Sequence, residues 1–183
     1  MQALVSTLPK PYEDLVLGLW DELEHQFGLK YVRHTPLPHF TWQLGESYRL
    51  EQVTPLLEKV SAEIEPFDVS VKGVESFISQ TPIVFLKIVK DPNLLKLHSE
   101  IWRELLPFTQ DADLLYSPAL WHPHITLAMQ DLDWDNQKQV LDYLFAKQID
   151  WRFMVDHFSI LLQQPEGGIV LEHHFQFGKG KIY

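Results

Sequence analysis

The chain contains no cysteine. That absence removes disulfide frameworks, thiolate nucleophiles and cysteine-ligated zinc from consideration. Positive charge is also scarce. Fifteen Lys and Arg face 25 Asp and Glu, a formal net charge of −10. Long nucleic acids are gripped by Lys and Arg that neutralise phosphates, so a long duplex is not an expected partner. A small nucleotide held in a local pocket remains compatible. No apolar run approaches the roughly 18 residues of a membrane span, and no membrane partner is expected. The N-terminal segment "MQALVSTLPKPYEDL" lacks a basic stretch followed by an apolar core, so no signal peptide is read there. A soluble cytoplasmic protein is the expectation. There is no Gly/Ser linker and no low-complexity segment, and a length of 183 residues favours one compact domain over residues 1–183.

What is present is a core and a punctuation. Hydrophobic residues make up 45% of the chain and aromatic ones 13%, enough to bury a sizeable interior. Twelve prolines fall mostly between periodic segments. Residues 3–8 read as a strand. Residues 12–27 show helical spacing at Leu15, Leu19 and Leu23, with Trp20 and Phe27 on adjoining rows and Gly28 as a stop. "PHFTWQL" reads as a strand and residues 50–64 as a second helix. "FDVSVKGVESFI" and "PIVFLKIV" follow as strands. Residues 93–106 and 134–145 read as helices, with "PHITLAM" as a strand between them. "FMVDHFSILLQ" and "IVLEHHFQF" flank "PEGG" as a β-hairpin. The order predicts an α+β fold with antiparallel or mixed sheets. It also hints at a duplication, with one copy from Ala3 to about Val89 and the second from there to the C-terminus.

Direct comparison sharpens that hint. "LPHFTW" and "HPHITL" both run Pro-His-apolar-Thr-apolar. Two chance occurrences are expected at a level of roughly a few in ten thousand. In a strand, residues i and i+2 share a face. His39 and Thr41 therefore point one way with Phe40 and Trp42 behind them, and His124 and Thr126 stand likewise over Ile125 and Leu127.

The pair of motifs, "HFTW" at residues 39–42 and "HITL" at residues 124–127, resembles the signature of the two-histidine (2H) phosphoesterases. That family includes 2′-5′ RNA ligase-like proteins and cyclic phosphodiesterases. The resemblance implies an α+β, bilobal fold: two pseudo-symmetric lobes of antiparallel or mixed sheet, helices outside, and a central cleft. The motif strands, near residues 37–44 and 122–129, would line that cleft. It implies metal-independent opening of a 2′,3′-cyclic phosphate or a related phosphodiester, with no cofactor, by a chain that works as a monomer. By resemblance, His39 is the general acid and His124 the general base. The substrate would be a small nucleotide or an RNA terminus bearing a cyclic phosphate or a 2′-5′ linkage.

The chemistry suits the residue types. Imidazole titrates near neutral pH, so one neutral and one protonated ring can take a proton from the nucleophile and give one to the leaving oxygen. Thr41 and Thr126 can donate hydrogen bonds to the charged phosphoryl oxygens of the transition state. His122 shares the predicted face of His124. Tyr12, Tyr116 and Trp121 are candidates to stack on a base, or else simply pack the lobes together. His173 and His174 are expected to point to opposite faces of a strand, and His25, His34, His98 and His157 read as surface or core residues. Two other functions compete with this one. One is a catalytically silent nucleotide- or RNA-binding module on the same fold. The other is a zinc site, for which no third ligand stands at suitable spacing.

Overall fold

The computed structural model describes residues 1–78, 81–164 and 168–178. Its strands are β1 (Gln2–Thr7), β2 (His39–Gly45), β3 (Ser47–Tyr48), β4 (Phe67–Phe77), β5 (Ile83–Ile88), β6 (Thr109–Gln110), β7 (His124–Ala128), β8 (Asp150–Val155), β9 (His157–Gln163) and β10 (Ile169–Gln176). Its helices are α1 (Tyr12–Phe27), α2 (Leu50–Glu63), α3 (Pro92–Leu105) and α4 (Trp134–Phe145).

Side chains cap the starts of α3 and α4. The Asp91 carboxylate accepts from the Asn93 N–H at the start of α3, with Pro92 in the first turn. Asp133 and Asn136 form a reciprocal capping box on α4. Helix α1 ends at Gly28, whose φ of 74° is the left-handed conformation glycine adopts freely. The Gly28 and Leu29 N–H groups turn back onto the Glu24 and Leu23 carbonyls. The buried stripe of α1 is Val16, Leu19, Trp20 and Leu23. Leu15, expected in that stripe, is exposed, because the helix docks one row further round.

The strands form two four-stranded antiparallel sheets, ordered β10-β9-β1-β2 and β7-β5-β4-β8, with a small β3-β6 ladder. The architecture is α+β and bilobal, as expected. The lobes are not the two halves of the sequence, however. Each sheet takes strands from both halves, since β4 and β5 join β7 and β8, while β9 and β10 return to β1 and β2. The expected single strand "FMVDHFSILLQ" is in fact two. The chain leaves the second sheet after Val155, passes Asp156, and enters the first at His157. An alternating apolar run reads the same whether or not its two ends pair with the same neighbours. β9 and β10 form the expected antiparallel hairpin; residues 165–167 of its "PEGG" connection lie outside the described residues.

The motif strands β2 and β7 are the edge strands of their sheets, and they lie against each other where the lobes meet. Beneath β2, the fully buried Trp42 and Trp121 stack with rings 5.6 Å apart. His98 from α3 lies flat on Trp121 at 3.7 Å and 4°. The His98 Nε2–H donates to the Trp42 carbonyl at 3.0 Å.

Burial pushes the His98 imidazole down to about 4 from an ordinary 6.5. The folded state therefore refuses a proton that the unfolded chain accepts. The resulting stabilisation is complete above pH 6.5 and is lost as the pH falls towards about 4, a change on the order of 3 kcal/mol. The wild type should lose its stability advantage over His98→Gln between pH 7 and pH 4, measured by urea unfolding. A constant gap across that range would show that His98 titrates normally in the fold.

Candidate active site

Both motif strands alternate as their sequences require. His39 and Thr41 are half-buried, with Phe40 and Trp42 buried behind; His124 and Thr126 are half-buried, with Ile125 and Leu127 buried behind. The four polar side chains line one cavity of about 270 Å³. The elements that meet there are β1, β2, β5, β7, β9, β10, α1, the turn at residues 32–37 and the segment carrying Tyr116.

The two imidazoles are held in the same way. His39 Nδ1 lies 2.7 Å from the Leu37 carbonyl, and His124 Nδ1 lies 2.6 Å from the His122 carbonyl. A carbonyl only accepts, so Nδ1 carries the hydrogen in both rings. When neutral, each ring therefore has its Nε2 lone pair free for chemistry. Burial lowers the affinity of both rings for a second proton, opposed by the carbonyl bond in each case. His124 falls to about 4, with further lowering from His122 and His39. At rest the site holds two neutral imidazoles of one tautomer.

The strand edges are held by tryptophans. The Trp121 Nε1–H donates to the Thr41 carbonyl at 2.9 Å, and the Trp20 Nε1–H donates to the Thr126 carbonyl at 3.1 Å. Trp121 leads into β7 yet bonds β2. Trp20 lies on α1, the helix between β1 and β2, yet bonds β7. Each motif strand thus has the carbonyl of its threonine taken by an indole from a residue far away in the chain.

Of the other predicted residues, Tyr116 lines the cavity with the motif pairs. Burial, the nearby Asp113 carboxylate and an opposing hydrogen bond with Thr41 leave its phenol at about 12, so it stays protonated as a donor. The His122 ring is absent from the lining. Its Nε2 stands 3.2 Å from Glu75 Oε2 and its ring packs edge-on against Phe77 and Phe85. Its carbonyl, not its ring, reaches the site. Trp121 is buried in the stack beneath β2. Tyr12 lies away from the cavity, packing on Trp151 and Phe153 and donating to the Arg152 carbonyl at 2.6 Å.

Sequence reasoning missed the apolar walls, among them Leu44, Ile83, Met129, Leu161 and Ile169. Strict alternation places Leu44 on the face opposite His39 and Thr41; the register shift between β1 and β2 at Leu4/Val5, which no local pattern announces, interrupts that alternation. Sequence reasoning also missed a polar cluster on β1 and β9. His157 Nδ1 lies 2.7 Å from Asp156 Oδ1, and its Nε2 accepts from the Thr7 N–H at 3.2 Å, with the Thr7 hydroxyl 2.9 Å away. Thr7 is the cross-strand partner of His39. No spacing signal links residues so far apart in the chain. Among the described residues, no three His, Asp or Glu side chains are grouped to hold a metal ion. No helix among them is long and apolar enough to cross a membrane.

This fold and this paired-histidine cavity define a class, and comparison with known proteins agrees. Residues 11–166 match the model of the 2′-5′ RNA ligase superfamily, and the chain belongs to that superfamily. It is 28% identical over 156 residues to a Bacillus cereus protein named "Putative phosphoesterase", covering 82% of this chain and 86% of that one. A similarly named Halalkalibacterium halodurans protein is 26% identical over 165 residues, covering 86% and 91%. Among solved structures, TT0787 of Thermus thermophilus superposes with a TM-score of 0.66 at 19% identity, covering 97% of each chain. E. coli LigT, crystallised with 3′-AMP, superposes at 0.56 with 12% identity, covering 96% of each. These two likenesses speak for the fold. The family model and the names of these relatives support an enzyme.

Two measurements check the geometry. Nitrogen-15 NMR should find the Nδ1–H tautomer for both His39 and His124, with titration midpoints below 6.5; an Nε2–H tautomer for either would contradict the carbonyl tethers. Trp20→Phe and Trp121→Phe each leave a strand carbonyl without its donor, and each should lower stability by roughly 1–3 kcal/mol in denaturant unfolding.

Proposed function

We propose that the chain is a metal-independent phosphoesterase that opens a 2′,3′-cyclic phosphate, or a related phosphodiester in a small nucleotide or RNA terminus. His39 and His124 act as an acid–base pair. The observation that carries this is the matched pair of Nδ1-tethered imidazoles, each with a threonine two residues on, facing one cavity. Fold likeness to LigT, whose solved complexes hold 3′-AMP and ATP, supports a nucleotide ligand. The chain is read as one domain of two duplicated lobes. As each lobe supplies one motif, a monomer completes its own site.

The steps follow from the atoms. Water attacks phosphorus while His124 Nε2 takes its proton. The bond from phosphorus to one ribose oxygen breaks, and that oxygen receives the proton carried on His39 Nε2. The product is a phosphate monoester beside a free hydroxyl. Thr41 and Thr126 donate to the non-bridging oxygens as charge gathers there, and Tyr116 adds a phenolic donor beside Thr41. The arriving phosphodiester anion favours the imidazolium form that the acid needs.

With purified protein, nucleoside 2′,3′-cyclic phosphates should be opened in excess chelator, and His39→Ala and His124→Ala should each lower kcat/KM by about 10²–10⁴-fold. Both imidazoles are lowered by burial, and turnover needs one neutral and one protonated ring. The kcat/KM profile should therefore be bell-shaped with its maximum below pH 6.5, falling on the alkaline side as the acid loses its proton. Tight binding without turnover would replace this function with that of a silent nucleotide-binding module.

A further inference from the structure

We infer that His157, held by Asp156, is a positioning residue for His39. It closes the open end of the strand against which His39 is registered, and so aims the imidazole that hands its proton to the leaving oxygen. This deepens the proposed function and rests on it for the proton step alone.

A mismatch in strand pairing creates the need. β1 pairs with β2 as far as Thr7 and His39, but with β9 only from Gln2 and Leu162 to Val5 and Ser159. The Leu8 N–H donates to the Pro38 carbonyl at 3.1 Å. In an antiparallel ladder the pair beside a bonded pair is the non-hydrogen-bonded one, whose side chains lie closest. Thr7 and His39 are that pair. The Thr7 N–H then points away from β2 and towards β9, past the last ladder pair on that side.

His157 fills the gap. Its carbonyl accepts from the Ser6 hydroxyl at 2.7 Å. Its Nε2 accepts from the Thr7 N–H at 3.2 Å, and the Thr7 hydroxyl lies 2.9 Å from the same nitrogen. The Ser6 hydroxyl accepts in turn from the Nε1–H of Trp42, the indole behind His39 and Thr41. A backbone N–H only donates, so Nε2 carries no hydrogen and Nδ1 carries it. Asp156 Oδ1, 2.7 Å from Nδ1, takes that hydrogen. The Asp156 backbone is fixed as well, since its carbonyl accepts from the Phe177 N–H at 2.7 Å and the Gln176 amide at 2.9 Å. Burial holds the ring's affinity for a second proton below the ordinary value; the Asp156 carboxylate opposes this and the His174 ring, 4.4 Å away, adds to it.

His39 is sensitive to this device and His124 is not. His39 Nδ1 is tethered to the Leu37 carbonyl, so its Nε2 goes where β2 goes, and Thr7 lies directly opposite. His124 stands on β7, in the other sheet. A slack Thr7 therefore moves one imidazole of the pair. A misplacement of about 1 Å can cost on the order of 10²-fold in rate.

His157→Leu keeps bulk and removes both ring nitrogens. Its kcat for adenosine 2′,3′-cyclic phosphate should fall by at least about tenfold with KM within about twofold of the wild type, because the groups that hold the phosphate stay in place. His157→Gln, whose amide oxygen can accept from Thr7, should recover most of that loss. Nitrogen-15 NMR should find the His39 ring resonances displaced in His157→Leu and those of His124 unchanged. Full activity in folded His157→Leu, a loss carried by KM, or equal displacement of both rings would overturn the inference. So would an Nε2–H tautomer for His157 in the wild type. If His157→Leu does not fold, Asp156→Ala frees the ring to turn while leaving it in place, and should show the same split at several-fold. No turnover by the wild type would remove the proposed function. The NMR comparison then decides the positioning role by itself: a shift confined to His39 keeps it, and an unmoved His39 overturns it.

Discussion

Two indole hydrogen bonds hold the site together. β2 and β7 are sheet edges, and an edge carbonyl without a partner is an energetic liability and an invitation to pair with another chain. Here the carbonyls of the motif threonines are taken by tryptophan N–H groups from residues far away in the chain. The same two contacts tie each motif strand to an element distant in sequence beside the histidines. Large aromatic bodies make this possible. An indole spans from a buried stack to a backbone oxygen with its one donor at the far end, and Trp121 does so while lying under His98 and beside Trp42.

Burial gives the site its electrostatic character. It keeps both imidazoles neutral at rest, while their tethers to carbonyls two residues upstream choose the tautomer. A proline between each carbonyl and its histidine, Pro38 and Pro123, disfavours helical backbone at the residue that supplies the carbonyl. The Pro-His-apolar-Thr pattern is thus more than a pair of reactive groups. It encodes the local backbone that aims them.

Strand exchange between the lobes makes the cavity a property of the whole chain. β4 crosses to the second sheet and β9 returns to the first, so neither lobe is built from one continuous half. Cutting the chain between halves would leave each sheet short of two strands. The switch at Asp156 also sets His157 in line with Thr7, and so beside the strand that bears His39.

The four helices were legible to within a residue or so, because the 3.6-residue period and the caps are local. The two motif pairs were legible because alternation with period two is local as well. Leu15 was misread because a helix with apolar residues on several rows does not say which row docks. Residues 153–163 were misread because an apolar run does not name its partner strand. His122, Tyr12 and Trp121 were nominated by type and nearness to the motif. Only the fold could show that His122 lends the site its carbonyl, that Trp121 lends an indole N–H to a backbone oxygen, and that Tyr12 packs away from the cavity. Sequence alone determined the four helices, the strands of the two histidines and the chemistry they can perform, since each depends on neighbours within a few residues. Tertiary structure decided that the two edge strands meet, which tryptophans pin them and which apolar side chains wall the cavity, since each depends on contacts between residues far apart in the chain.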